Sequence, residues 1–254
     1  MKPPAGSDAW AALAALTPAR ISLGRAGVSL PTREVLAFAL DHARARDAVH
    51  TPFDAGFVAA QVATLGFETL QVASAAGDRA TYLRRPDLGR RLDPPSQALL
   101  DRQPREAPDV LIVVAVGLSS AAVHAHAAPL LAALRPHLAA RGWRAGPVVL
   151  AHQARVALGD EAGERLGARF VVLLVGERPG LSAADSLGAY LTCAPRVGRT
   201  DAERNCISNI RPGGLSYEDA AFRIAWHIGE ALRRGYSGVA LKDESASGPI
   251  AGPD

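Results

Sequence analysis

The chain has 254 residues, of which 48% are hydrophobic, and a formal net charge of +3. It has no apolar stretch of the roughly 20 residues that a membrane-spanning helix needs, and its small positive charge, spread along the chain beside acidic residues, does not indicate nucleic-acid binding. Because the amino terminus lacks the apolar core of a signal peptide, we expect a cytoplasmic protein whose two cysteines, Cys193 and Cys206, are free thiols.

Residues 1–50 predict a small helical domain. Ser7 can cap a first helix that runs to Leu16, and Thr32 can cap a second one. The apolar residues of the second helix share one face: Val35, Leu36, Ala39, Leu40 and Ala43. Pro52 then disfavours helix in the residue before it, which places the domain boundary at residues 50–53.

Residues 51–242 alternate between apolar runs and helical patterns. Continuous apolar runs predict buried strands at residues 109–116, 147–151 and 170–175. Helical patterns predict helices at residues 119–141 and 160–166. Buried strands separated by helices indicate an α/β fold with a doubly wound, mostly parallel, Rossmann-like sheet. Such sheets bind ligands beyond the carboxyl ends of their strands.

Two polar segments lie where such a ligand would bind. Residues 176–180 directly follow the third predicted strand, and residues 201–210 combine two carboxylates, a guanidinium, two amides and a thiol without apolar periodicity. We therefore predict two loops that face one ligand at the edge of the sheet. Glu177 in the first segment and Cys206 in the second are the candidate contacts.

The end of the chain predicts a final helix and a tail. Ser216 and Asp219 form a capping box that opens the helix, and Gly235 follows its last turn. Residues 243–254 are rich in serine, glycine and proline, which predicts a flexible tail.

Each candidate contact has a structural alternative. The Glu177 carboxylate could cap the next turn or pair with Arg178, and Cys206 could be a small buried apolar residue. The arginine-rich segment of residues 84–91, around Asp87, is best explained as a solvated and partly ion-paired loop. An anion or partner contact is its second interpretation.

Other motifs give little support for a catalytic site. Ser119 occupies the strand–turn–helix position of a hydrolase nucleophile, but Ala121 replaces the second glycine of that motif, so a helix N-cap is favoured over a serine hydrolase. His124 and His126, two positions apart on a helix, point about 200° apart and cannot share a metal ion without a third element. Neither Cys-x-x-Cys nor His-Glu-x-x-His is present.

Several segments together closely resemble the small (light) subunit of ethanolamine ammonia-lyase, an adenosylcobalamin-dependent enzyme. The resemblance extends from about Thr17 to about Gly235. The segments that carry it, besides residues 176–180 and 201–210, are Thr17-Pro-Ala-Arg20, Gly24-Arg-Ala-Gly27, Asp41-His-Ala-Arg-Ala-Arg-Asp47 and Arg85-Pro-Asp-Leu-Gly-Arg-Arg91.

The resemblance implies a function for the chain in a hetero-oligomer. With a large barrel subunit, it would convert ethanolamine to acetaldehyde and ammonia by a radical rearrangement, with the substrate-binding residues in the large subunit. This chain would supply one wall of the cobalamin site through Val156, Glu177 and Cys206, and no catalytic residue. Val156 has this role by resemblance alone, since its sequence context fits a core residue. The complex would lie free in the cytosol or in a bacterial microcompartment.

Two further features bear on the cofactor. The Asp-x-His-x-x-Gly motif of proteins that replace the dimethylbenzimidazole base of cobalamin is absent, so we expect the cofactor to bind base-on. Val116 stands where the family usually has aspartate. This departure indicates either a binding or assembly subunit with impaired cofactor competence, or a strand repacked around valine. Cys193 stands where the family more often has tyrosine, and we assign it no role.

Overall fold

The computed structural model describes residues 7–17, 19–104 and 107–245. In this part of the chain an α/β fold is built from eight α-helices and a six-stranded sheet. The strands are β1 (Thr69–Ala73), β2 (Val110–Ala115), β3 (Val148–His152), β4 (Phe170–Gly176), β5 (Leu187–Cys193) and β6 (Arg204–Ile210). The helices are α1 (Ser7–Ala15), α2 (Thr32–His50), α3 (Ala55–Thr64), α4 (Arg79–Arg84), α5 (Pro94–Asp101), α6 (Ser120–Ala140), α7 (Leu158–Arg165) and α8 (Tyr217–Arg234).

The sheet is mixed, so the prediction of a doubly wound, mostly parallel, Rossmann-like sheet is confirmed only as far as the α/β class. The strand order is β1-β3-β2-β4-β5-β6. The first four of these strands pair in parallel, whereas β5 and β6 pair antiparallel. The physical reason is the length of the connections: residues 177–186 and 194–203 are too short for the helical crossover of a parallel pair.

The core occupies both faces of the sheet. Strands β2 and β4 are buried along their whole length, which explains their continuous apolar sequences. Helices α3, α6 and α8 pack on one face, and α5 and α7 pack on the other. Helices α5 and α7 cover β1 to β4. The same face of β5 and β6 therefore carries side chains that are not fully buried, including Tyr190 and Cys206.

The helix α2 is confirmed, but its predicted cap is wrong. Thr32 is the first helical residue and Pro31 is the N-cap, without a side-chain hydrogen bond. The helix buries Ala45 and Ala48, whereas the predicted apolar face is exposed at Val35 and Leu36. The helix therefore packs through its small residues and leaves the larger apolar side chains uncovered.

The remaining helix predictions mostly hold. Ser7 begins α1, and α8 has the predicted ends: Ser216 Oγ accepts a hydrogen bond from Asp219 N, and Gly235 adopts a left-handed conformation. No helix in the described ranges is long and apolar enough to cross a membrane. The boundary near residue 50 coincides with the end of α2, and the division into domains stays a prediction. Most of the predicted tail, residues 246–254, lies outside the described residues.

The predicted polar loop of residues 201–210 is instead a short 3₁₀ turn followed by the edge strand β6. Arg204, Ile207 and Ile210 are buried, while the polar residues between them are less covered. In the described chain β6 pairs with a strand on one side only, β5, and its other side carries a single bridge between Ile210 and Leu215. A strand at the edge of a sheet needs few apolar residues, which is why its sequence lacks a strand pattern.

Candidate functional site

Four residues form a continuous surface where β4 ends and β5 pairs with β6. They are Glu177, Gly188, Tyr190 and Cys206, and we call this surface the β5–β6 wall. Tyr190 lies directly opposite Cys206 in the register of the two strands. A Cβ atom at Gly188 would lie 2.9 Å from Glu177 Oε1, so the carboxylate lies against a position that has no side chain. The Glu177 side chain therefore lies across the buried Gly188, close to the sheet.

The Glu177 carboxylate joins three parts of the chain. Its Oε2 atom accepts hydrogen bonds from Ser186 Oγ and from Asn209 N, the latter at 3.3 Å. Asn209 adopts a left-handed conformation where β6 bulges opposite Gly188. The alternative of a pair with Arg178 is wrong. In the described part of the chain Oε1 accepts no hydrogen bond, which leaves one carboxylate oxygen for a donor from outside.

Cys206 is exposed, so the alternative of a small buried apolar residue is wrong. Partial desolvation by the surrounding sheet raises the pKa of its thiol, and the Glu177 carboxylate acts in the same direction. The thiol is therefore protonated near neutral pH. A protonated thiol is a poor nucleophile and a poor metal ligand, so Cys206 is suited to contact a neutral surface.

Val156 lies beside the wall in a cleft of about 670 Å³. Tyr190 belongs both to the wall and to this cleft, which makes the two continuous. Burial raises the pKa of Tyr190 to about 12, so its hydroxyl stays protonated. The structure thus places Val156, Glu177 and Cys206 around one region. Sequence reasoning missed Gly188 and Tyr190, because their strand β5 was not predicted.

An ion pair anchors the start of β6. Arg204 Nη1 donates to Asp160 Oδ1 of α7 at 2.7 Å, and both side chains are almost fully buried. Arg204 Nη2 also donates to the carbonyl oxygen of Arg199 at 2.8 Å. Desolvation raises the pKa of Asp160 to about 6, although the Arg204 hydrogen bond and charge act to lower it. The pair fixes β6, and with it Cys206, against α7.

Comparison with known proteins identifies the family. A family model of the ethanolamine ammonia-lyase light chain matches residues 7–242. The chain belongs to this family. It is 58% identical over 244 residues to the ethanolamine ammonia-lyase small subunit of Ralstonia nicotianae, which covers 95% of this chain and 90% of the relative. The small subunit of Bradyrhizobium diazoefficiens is 59% identical over 235 residues, covering 92% and 90%.

A third relative, the ethanolamine ammonia-lyase small subunit of Pseudomonas putida, is 56% identical over 245 residues and covers 95% of this chain and 90% of its own length. The resemblance inferred from the sequence is therefore confirmed, and all three relatives are named as small subunits of a lyase. The residues that match the family model include those of the β5–β6 wall and of the Val156 cleft.

Ser119 is not a hydrolase nucleophile in this light chain. Its side chain is completely buried, donates to the carbonyl oxygen of Ala184 at 3.0 Å and accepts from Ala122 N at 3.2 Å. The N-cap interpretation is confirmed, and the serine hydrolase alternative is wrong. Both oxygen functions of Ser119 serve the fold.

The two histidines of α6 have separate structural partners. His124 Nε2 accepts from Asp54 N at 3.0 Å, and the buried His126 forms a hydrogen bond between Nδ1 and the Tyr217 hydroxyl at 2.8 Å. Within residues 7–17, 19–104 and 107–245, no group of three or more potential metal ligands is clustered.

Val116 is a core residue in this light chain. Its side chain is 2% exposed, and its backbone N–H donates to the carbonyl oxygen of Ala151 at 3.2 Å. This observation fits a strand end repacked around valine. The effect of the substitution on cofactor binding stays a prediction.

Proposed function

We propose that this chain is the small subunit of an adenosylcobalamin-dependent ethanolamine ammonia-lyase and forms one wall of the cobalamin site. The observation that carries the proposal is the continuity of the β5–β6 wall with the Val156 cleft. Three residues that the family resemblance assigns to the cofactor, far apart in sequence, border this one surface. The reaction would convert ethanolamine to acetaldehyde and ammonia, with the substrate bound in a large barrel subunit.

The chemistry of the wall fits a corrin. A corrin is a broad, nearly planar ring whose edge carries amide groups, so its partner needs a flat surface and hydrogen-bond acceptors at the rim. Gly188 lets the Glu177 side chain lie close against the sheet, and Glu177 Oε1 offers an acceptor to an amide N–H. Val156 and the ring of Tyr190 supply apolar contact at the cleft. The protonated Cys206 adds a neutral contact.

Adenosylcobalamin supplies, when bound, the radical chemistry through homolysis of its cobalt–carbon bond. The residues of this chain would bind and orient the cofactor. Glu177 holds its position through Ser186 and Asn209, so the acceptor oxygen is preorganised. The proposed binding is base-on, because the motif that displaces the base is absent from the sequence.

The amino-terminal region provides a surface for the large subunit. Large apolar side chains of this region are exposed: Trp10, Leu13, Leu16, Val28, Leu30, Val35, Leu36, Phe38 and Leu40. Exposed large apolar side chains in such number indicate a surface that binds another protein, since leaving them uncovered would favour aggregation. Since a small subunit needs a larger partner, we assign this surface to the large barrel subunit.

The isolated chain is expected to release no ammonia from ethanolamine in the presence of adenosylcobalamin, because its described residues form no acid–base or nucleophile constellation. Co-expression with the large subunit should give a stable hetero-oligomer that binds cobalamin and releases ammonia. The measurement is ammonia release by the chain alone and by the purified complex. Turnover by the chain alone, or two subunits that elute separately, would contradict the proposal. A stable complex that binds no cobalamin would favour the impaired assembly subunit instead.

Glu177→Gln in the complex is expected to weaken cobalamin binding by about 1 to 3 kcal/mol, since a neutral amide oxygen accepts a weaker hydrogen bond than a carboxylate. Cobalamin titration and thermal melting of the same variant measure the effect. Glu218→Gln, an exposed position at the start of α8, is the matched control and should leave the affinity unchanged, with at most a small drop in melting temperature from the loss of a negative charge in the first helical turn. A large drop in melting temperature with unchanged affinity would show that Glu177 serves the fold alone.

A further inference from the structure

Three guanidinium groups line the cleft that contains Val156. Arg90 and Arg91 follow the buried Gly89 in the segment after α4, and Arg155 directly precedes Val156. We call Arg90, Arg91 and Arg155 the arginine cluster. Two carboxylates, Asp87 and Asp201, line the same cleft.

The charges of the cleft are not balanced locally. Asp87 is paired with Arg85 through two hydrogen bonds of 2.7 and 2.9 Å, and Asp201 contacts Arg204 at 3.4 Å. By contrast, the side chains of Arg90 and Arg91 have no hydrogen bond or ion pair with any residue that the structure describes. Both acids that line the cleft thus have cationic partners outside the cluster, and the cluster keeps its positive charge.

Arg155 is held in place but incompletely satisfied. Its guanidinium lies over the ring of the buried Tyr82, 4.5 Å from the ring centroid, and makes one long hydrogen bond of 3.4 Å to the Tyr82 carbonyl oxygen. Its Nε atom is buried and has no hydrogen-bond partner in the described chain. A guanidinium carries five N–H donors, so most of its donor capacity is unused.

The same contacts bring the three arginines together. Arg155 N donates to the carbonyl oxygen of Gly89 at 2.8 Å. This hydrogen bond joins the loop after β3 to the segment that carries Arg90 and Arg91. A Cβ atom at Gly89 would lie 2.9 Å from Arg155 Cγ and 3.0 Å from the Tyr82 ring. The close approach at Gly89 therefore fixes the spacing of the cluster before any ligand binds.

We propose that the arginine cluster is an anion subsite that binds the phosphodiester of the cobalamin nucleotide loop. Guanidinium groups present paired donors that match phosphate oxygens, and an unneutralised cluster in a cleft favours such a group. A cofactor bound base-on keeps its nucleotide loop folded beneath the ring, and the cleft that holds the cluster adjoins the proposed corrin wall through Tyr190. The inference rests on the proposed function, since it assigns a part of the same ligand to a neighbouring surface.

The test compares two ligands that differ in the nucleotide loop. Adenosylcobalamin has the phosphodiester, whereas adenosylcobinamide lacks the whole loop. Both are titrated into the wild-type two-subunit complex and into the complex with Arg90→Gln and Arg91→Gln, two exposed positions where glutamine leaves the fold intact. Arg84→Gln, an exposed arginine outside the cleft, is the matched control. We expect the double variant to bind adenosylcobalamin about tenfold or more weakly and adenosylcobinamide within about threefold of wild type.

A second measurement does not depend on the cobinamide. Inorganic phosphate at constant ionic strength should compete with adenosylcobalamin in the wild-type complex and much less in the double variant. Equal losses for the two ligands, or phosphate competition that survives in the double variant, would overturn the subsite while leaving the proposed function intact. A wild-type complex that binds neither ligand would overturn the proposed function and the subsite with it.

Discussion

Replacing Arg204 by methionine is expected to lower the free energy of unfolding by about 3 to 5 kcal/mol at pH 8, the usual cost of leaving one member of a buried ion pair without its partner. Methionine fills a similar volume but offers no donor, so the Asp160 carboxylate would keep its charge without compensation. The side chains of both residues are almost fully buried, which excludes water as a substitute partner.

The loss should depend on pH in a defined direction. The pKa of Asp160 in the folded protein is raised to about 6, above its ordinary value of 3.8. The stabilisation that the Asp160 carboxyl contributes is therefore complete below its pKa in the unfolded protein. It is lost as the pH rises through its pKa in the folded protein. Without Arg204 the folded pKa rises further, because the hydrogen bond and charge that lower it are gone. At pH 5 the carboxyl is mostly protonated in both proteins, so their stabilities should converge.

Denaturant unfolding of the wild type and of Arg204→Met at pH 5 and pH 8 measures this difference. The double variant Arg204→Met with Asp160→Asn is the control, because it removes the uncompensated charge and should recover part of the stability at pH 8. A loss of equal size at both pH values would mean that Arg204 stabilises the fold by packing or through its bond to Arg199, and the charge argument would be wrong.

The parts of the fold that the sequence predicted have local causes. Strands β2, β3 and β4 are continuous apolar runs because both of their faces are covered, and α8 has its cap residues at both ends. A side chain that caps a helix within three residues can be found from sequence, as Ser119 shows. These signals predict the α/β class and the parallel strands at the centre of the sheet.

The site could be predicted only in part, because it depends on strand pairing. Glu177 and Cys206 were found by their polarity after an apolar run, but their proximity comes from the antiparallel β5 and β6, which the apolar pattern does not reveal. Tyr190 reaches the site through its pairing with Cys206. Val156 has no local signal, since half-buried valines are common in any core. The apolar face of α2 has the same limit, because periodicity shows which residues share a face without showing what covers it.

Gly188→Val is expected to abolish most cobalamin binding by the complex, with a loss of about a hundredfold or more, or roughly 3 kcal/mol, while the fold is retained. A Cβ atom at this position would lie 2.9 Å from Glu177 Oε1, so the valine side chain displaces the carboxylate from its acceptor position. Its two methyl groups would add further volume beneath the Glu177 side chain. Gly188 has no left-handed backbone conformation, and valine is well suited to a strand, so the backbone is not strained and the loss of stability should be limited to the hydrogen bonds that Glu177 accepts from Ser186 and Asn209.

Measuring cobalamin affinity and melting temperature together distinguishes a glycine that a ligand requires from a glycine that the fold requires. Replacing a glycine required by the fold alone would lower the melting temperature and leave the affinity of the folded complex unchanged, whereas replacing a glycine required by a ligand lowers the affinity by far more than the small change in melting temperature explains. Gly188→Ala should fall between wild type and valine, because its single methyl group meets Oε1, Cγ and Cδ of Glu177 but adds less volume than valine. Gly77→Val is the matched control, since a Cβ atom there meets no atom within 4 Å. Cobalamin titration and thermal melting of the three complexes decide the matter: undiminished affinity in Gly188→Val would exclude the β5–β6 wall as the surface against which the corrin lies.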